Sequence, residues 1–210
     1  MNERLNTNHG PLHPIYMARI KETISRALNE HPRTLAIRVD LRLPTVGEDP
    51  DTLTNLANSD SHVISRFFDS LKAQIDADVA RKKRGGIRTF ECSLRYIWVK
   101  EKNKEHKDHY HVLLLLNKDT YHRLGSYSSS ESNLAMRISR AWTSALGIDN
   151  DVFSSLTHFP ENPLYFLNRN AAPLEFQNML SQLLYRASYL AKKETKQYGD
   201  GFRSFSCSRR

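Results

Sequence analysis

The strongest constraint on the fold is the order in which two hydrophobic periods alternate along the chain. Apolar residues at every second position mark a strand, and recurrence near 3.6 positions marks a helix. A short helix is predicted over residues 15–30, carrying Ile15, Met17, Ile20, Ile24 and Leu28. Thr34 to Leu43 then alternates: Leu35, Ile37, Val39 and Leu41 face one way, Arg38, Asp40 and Arg42 the other, and Pro44 stops the strand. Ser59, Asp60 and Ser61 offer caps for a helix of about 20 residues with the stripe Val63, Ile64, Phe67, Phe68, Leu71, Ile75 and Val79. It closes on Arg81-Lys82-Lys83-Arg84 and Gly85-Gly86, with cations at the negative end of the helix dipole. Thr89–Lys100 and His109–Asn117 are predicted strands of a hairpin. A serine-rich loop, Ser126–Ser130, leads to a helix over about 132–146 with Leu134, Ile138 and Trp142, closed by Gly147. Val152–Phe159 is a further short strand. Pro160 and Pro163 interrupt the chain after it, and Pro173 opens a last helix to about Lys196. The order β-α-β-β-α-β-α predicts an α+β fold. Its central antiparallel sheet follows the ferredoxin-like split βαβ plan, with one extra C-terminal helix. Residues 1–32 are expected as an N-terminal helical extension, and 33–210 as the main domain with a basic tail.

A chain of 210 residues can bury a core without staples. Its two cysteines, Cys92 and Cys207, lack metal-type spacing and are too few for a disulfide framework. No run approaches the roughly 18 apolar residues of a membrane span, and Met1–Pro14 carries no signal-peptide core. A cytoplasmic setting is therefore expected. None of the eight glycines is followed by lysine, so the P-loop pattern is absent. The net charge of +8 points to a polyanionic partner. Composition alone does not choose among DNA, RNA, a membrane surface and mere solubility.

One pair of side chains carries metal chemistry. His109-Tyr110-His111 opens an apolar strand, and residues two apart on a strand share a face. Two imidazoles side by side can hold one divalent ion. Glu101, at the end of the preceding strand, offers a third ligand across the hairpin; Glu91 is more distant, and His106 in the turn could also reach. Two histidines and one carboxylate leave coordination positions open, which suits catalysis better than a closed structural zinc.

On the last helix, Phe176, Leu180, Leu183, Leu184, Ala187, Leu190 and Ala191 form one apolar stripe. Tyr185, Tyr189, Lys192 and Lys196 fall on the opposite side, with Tyr185, Tyr189 and Lys192 within reach of one another. A phenol titrating near about 10 is a weak nucleophile at neutral pH, which a nearby ammonium and a metal-polarised phosphate would correct. Solvated amphipathic tyrosines are the plainer alternative.

Glu101, then His109-x-His111, then Tyr189-x-x-Lys192 resembles, in that order, the HUH-type rolling-circle replication initiators. The doubled Tyr185-x-x-x-Tyr189-x-x-Lys192 looks like the two-tyrosine branch. The stretches His109–Asn117 and Ser188–Lys192 are similar to inovirus gene II-type initiators and the prophage YagK/YfjJ proteins. Over roughly residues 33–206, the resemblance implies a HUH endonuclease fold that nicks one strand of origin DNA. It implies Mg²⁺ or Mn²⁺ on Glu101, His109 and His111, with Tyr189 or Tyr185 as first nucleophile and Lys192 neutralising developing charge. The nick would leave a 5′-phosphotyrosine link and a 3′-OH primer, and a separate helicase would supply the motor. Arg38-Val39-Asp40-Leu41 matches the family's first motif only loosely, and no site residue is carried over there.

The charge then reads as a DNA surface. Arg81, Lys82, Lys83 and Arg84 form one cluster, and Lys196 and Arg203 belong to another at the C-terminal end. Tyr198, Phe202 and Phe205 interleave with the latter, which suits base stacking plus phosphate contact on single strands. Arg81–Arg84 would equally serve as a helix cap, and Trp98 and Trp142 read as core. Competing readings are a non-catalytic DNA-binding prophage protein with a decayed site and a related tyrosine transposase.

Overall fold

A computed structural model of the chain describes residues 5–8, 10–44, 57–102, 108–126, 133–148, 154–193 and 203–209. Its helices are α1 (Pro14–Glu30), α2 (Val63–Arg84), α3 (Leu134–Leu146) and α4 (Pro173–Ser188). The strands are β1 (Arg33–Arg42), β2 (Arg95–Lys102), β3 (Asp108–Asn117), β4 (Thr157–His158), β5 (Leu164–Asn168) and β6 (Phe205–Cys207). They form one six-stranded sheet in the order β4-β1-β3-β2-β6, with β5 also paired to β1 and every described pair antiparallel. The architecture is α+β.

Alternation along the strands builds two cores. Leu35, Ile37, Val39 and Leu41 of β1 join Val112, Leu114 and Leu116 of β3 under α2 and α3. Ile97, Val99, Leu113 and Leu115 pack on the other face against α1 and α4. The apolar stripe of α1 (Met17, Ile20, Ile24, Ala27 and Leu28) is buried in that second core, beside Leu183, Leu184 and Ala187 of α4. Both faces of β1 and β3 are therefore covered. The polar side of β1, which alternation alone leaves undefined, looks into protein: Arg38 is only 2% exposed.

Several boundaries differ from expectation, for local reasons. The strand expected from Thr89 begins at Arg95. The carbonyls of Phe90 and Glu91 accept instead from Thr120 Oγ1 and Asn117 Nδ2, at 3.1 and 2.7 Å. The strand expected over Val152–Phe159 narrows to β4, preceded by a 3₁₀ turn, Ser154–Leu156; residues 152 and 153 lie outside the described residues. Strand β5 is an addition to the expected order. It begins just after Pro163, whose carbonyl accepts from Arg38 N at 2.8 Å and so starts the pairing with β1. A proline at a strand's first position loses no ladder donor. The basic tail contributes β6, an edge strand on β2. Phe205 is buried and stacks on Tyr16 at 4.1 Å, so it is a packing residue rather than a platform for bases. Tyr198, Phe202 and Lys196 lie outside the described residues. Trp142 and Trp98 are buried in the core. No helix among the described residues is long and apolar enough to cross a membrane.

A candidate metal centre beside a tyrosine

The register of three strands places the polar groups. Asp40 pairs with His111 across β1 and β3, and Glu101 with His109 across β2 and β3. All four side chains stand on the α1/α4 face, at the end of the strands nearest the β2–β3 turn. The Nε2 atoms of His109 and His111 approach to 3.1 Å, and Glu101 Oε2 is 3.4 Å from His111 Nε2. One ligand atom from each of the three residues lies within 4.8 Å of the others. Glu101 is 3% exposed, and its second oxygen, Oε1, has no hydrogen-bond partner among the described residues. A buried carboxylate oxygen without a donor beside two converging imidazole nitrogens is a donor set fitted to a cation. His106, the other candidate in the turn, lies outside the described residues.

Asp40 orients this set. Its Oδ1 accepts from His111 Nδ1 at 2.6 Å, which fixes that proton and leaves the Nε2 lone pair for a ligand. Arg38 Nη2 donates to the same oxygen at 3.1 Å. Burial would raise the Asp40 carboxyl, but the hydrogen bond and charge of His111, with Arg38, hold it at about 2. Burial would also raise Glu101, which His111 and Lys192 hold at about 2. Burial lowers His111, and its two carboxylate partners more than offset this, so its pKa is raised. Metal binding must displace that proton.

The tyrosine arrives from α4. Where the wheel predicts a helix to about Lys196, α4 ends at Ser188 and tightens into a 3₁₀ turn over Tyr189–Ala191. Side chains three apart eclipse in a 3₁₀ turn, and Lys192, just beyond the turn, lies over Tyr189. Its Nζ is 3.9 Å from the ring centroid and donates to Tyr189 Oη at 2.6 Å. The same ammonium meets Glu101 Oε2 at 2.9 Å. Lys192 is 6% exposed, so the side opposite the apolar stripe, expected in solvent, here turns into the sheet. The Tyr189 ring stands edge-on to His111, centroids 5.4 Å apart. The N-terminal segment pins this turn: His13 N donates to Ala191 O at 2.7 Å, and Lys193 N to Pro11 O at 3.0 Å. Tyr185 sits one helical turn earlier, its carbonyl accepting from Ser188 Oγ at 2.8 Å.

Arg38 and Asp40 are the residues that sequence reasoning missed. Arg38 lies 5.8 Å from the Tyr189 centroid, and its Nε and Nη1 have no hydrogen-bond partner among the described residues. A charged pair on the polar side of β1 is visible in the sequence. That α4 covers that side is not.

The basic candidates separate. On α2, Arg81 Nη2 and Lys82 Nζ meet the buried carboxylate of Asp78 at 2.6 and 2.8 Å. Arg137 Nη2 and Tyr121 Oη reach it at 2.7 and 2.9 Å. Arg81 and Lys82 thus pair with Asp78 within α2, and Arg137 carries the cluster across to α3, while Lys83 and Arg84 are exposed. Arg203 is exposed just before β6. Asp78→Ala removes the carboxylate shared by three cations, and is expected to cost about 3–5 kcal/mol in urea unfolding. Burial would raise the Asp78 carboxyl, but Lys82, Arg81 and Tyr121 hold it below its ordinary value. The wild type therefore carries this stabilisation above about pH 4 and loses it as the pH falls further. The variant should lack that part of the acid dependence.

A fold with this centre belongs to a chain whose relatives are recognisable. Residues 1–208 match the YagK/YfjJ C-terminal domain, and the chain belongs to that family. It is 41% identical over 193 residues to the uncharacterized protein YagK of Escherichia coli strain K12, covering 92% of this chain and 91% of that one. The uncharacterized protein YfjJ of the same strain is 39% identical over 197 residues, covering 93% and 94%. Among solved structures, the N-terminal nuclease domain of the minute virus of mice non-structural protein 1 aligns with 93% of this chain and 79% of its own. The TM-score is 0.26 and the identity 10%. A likeness that low fixes neither fold nor activity.

Proposed function

We propose that this protein is a metal-dependent nickase of single-stranded DNA, acting at an origin as rolling-circle replication initiators of the HUH type do. The observation that carries the reading is one convergence: Lys192 bridges Tyr189 Oη and Glu101, and Glu101 faces His109 and His111. The sheet supports it, because the order β4-β1-β3-β2 with antiparallel pairs is what the split βαβ plan requires.

Glu101, His109 and His111 would hold Mg²⁺ or Mn²⁺, and the bound ion would polarise a non-bridging oxygen of the scissile phosphate. Tyr189 Oη attacks phosphorus. A Tyr–O–P bond forms, the P–O3′ bond breaks, the phenol proton passes to solvent, and the departing oxygen takes up a proton to become the 3′-OH. Lys192 stabilises negative charge on the phenol oxygen as it attacks. The unpartnered Nε and Nη1 of Arg38 supply donors for phosphate oxygens. Asp40 keeps the His111 ring in register. Tyr185 is available as a second nucleophile for strand transfer. Unwinding is assigned to a helicase partner.

The test is nicking of end-labelled single-stranded origin DNA with Mn²⁺, against the same reaction in EDTA. The reading predicts cleavage with metal and none without. Binding without cleavage of any strand favours the DNA-binding prophage protein instead. Asp40→Asn should lower Mn²⁺ affinity about 10–100-fold, the usual cost of losing a ligand's outer partner, with the fold unchanged by circular dichroism.

A further inference from the structure

The same two strands that carry the metal ligands present their other face to a separate cleft. Lys100 and Tyr110 pair across β2 and β3, next to the Glu101–His109 pair. Because side chains alternate across a sheet, Lys100, Trp98 and Tyr110 point away from the metal centre. With the start of α2 and the edge strand β6 they line a cleft of about 520 Å³. That lies within the range of about 300–1,000 Å³ typical of small-ligand sites.

Its lining combines aromatic faces and cations. Phe68 and Tyr96 stack at 3.5 Å, and Trp98 meets Tyr110 edge-on at 5.7 Å. Lys100, Arg203 and Arg209 supply positive charge, and the described lining contains no carboxylate. Lys100 Nζ is held by Asp108 at 2.7 Å, which leaves the two arginines as the cations for a ligand. Both are anchored through their backbone neighbourhood. Ser204 O accepts from Lys100 N at 2.9 Å, and Arg209 O accepts from Arg26 Nη1 at 2.6 Å. Their exposed side chains are thus presented from a fixed edge. Aromatic faces with arginines at the rim suit a base and its phosphates, the combination used for single strands.

We infer that this cleft is a second nucleic-acid subsite: it holds a nucleotide of single-stranded DNA, with its base against the half-buried Tyr96 and its phosphates on Arg203 and Arg209. The choice of DNA rests on the nicking reading above; the cleft and its chemistry do not.

The experiment uses the full chain and a fluorescein-labelled (dT)₁₂ in EDTA, which removes any contribution of a bound metal. Anisotropy is measured for the wild type and for the double variant Arg203→Glu/Arg209→Glu across a salt series. Losing two phosphate contacts should weaken binding about tenfold or more and reduce the slope of log K on log salt by about 1.4. The double variant should still bind Mn²⁺ like the wild type. A (dT)₁₂ carrying 5-iodouracil should photocrosslink to Tyr96. Unchanged affinity and slope in the double variant would overturn the inference, as would crosslinks confined to the metal face or equal affinity for a 12-base-pair duplex. The two readings fail separately. A Tyr189 adduct formed at normal rate with no effect of the double variant removes the cleft alone; cleft-dependent binding with no adduct removes the nickase alone.

Discussion

His111→Ala is expected to lower Mn²⁺ affinity by more than the roughly 10–100-fold cost of an outer-shell change, and to take metal-dependent nicking to background. His111 is the hub of the centre. Its Nε2 faces His109 and Glu101, and its Nδ1 is bonded to Asp40. Removing the ring takes away a proposed ligand and the hydrogen bond it makes to Asp40. Titration of Mn²⁺ by its paramagnetic resonance signal reads the first effect directly. His122→Ala, at an exposed position, is the control and should bind Mn²⁺ like the wild type. Equal Mn²⁺ affinity in His111→Ala and the wild type would remove the metal centre from the account.

Tyr189→Phe is expected to reduce first-strand nicking on the order of 10⁴-fold or more, the scale on which loss of a nucleophile is felt. Mn²⁺ affinity should stay unchanged, because the proposed ligands, Glu101, His109 and His111, do not include the phenol. Tyr185→Phe should keep the first nick and lose only later strand transfer. Spacing on a helical wheel treats the two tyrosines alike. The 3₁₀ turn does not: it places Lys192 over Tyr189 and brings that ring edge-on to His111. Single-turnover nicking of the two variants separates them.

Much of this centre is legible in the sequence, because short-range rules carry it. Residues two apart on a strand share a face, so His109 and His111 have to lie together, and a hairpin has to bring Glu101 opposite. The Tyr189-x-x-Lys192 spacing likewise implies contact, although through the wrong geometry. An α-helix to Lys196 would leave both side chains in solvent, whereas the early end at Ser188 buries Lys192. What makes the helix end there is tertiary: the segment around Pro11 and His13 takes up the backbone groups of Ala191 and Lys193. Arg38 and Asp40 escape for a related reason. Alternation in β1 shows a polar side but not what covers it, and a helix more than a hundred residues later does so. Strand β6 escapes because three residues are too few to show a period.

The central claim is that Tyr189 becomes covalently joined to DNA at a metal held by Glu101, His109 and His111. Its most direct test is mass spectrometry of the protein after reaction with single-stranded origin DNA and Mn²⁺, with nuclease trimming and peptide mapping. The account predicts a nucleotide adduct on the peptide containing Tyr189, absent in EDTA and absent from Tyr189→Phe. An adduct that persists in the Tyr189→Phe/Tyr185→Phe double variant, or cleavage of the strand with no adduct on either tyrosine, would contradict it.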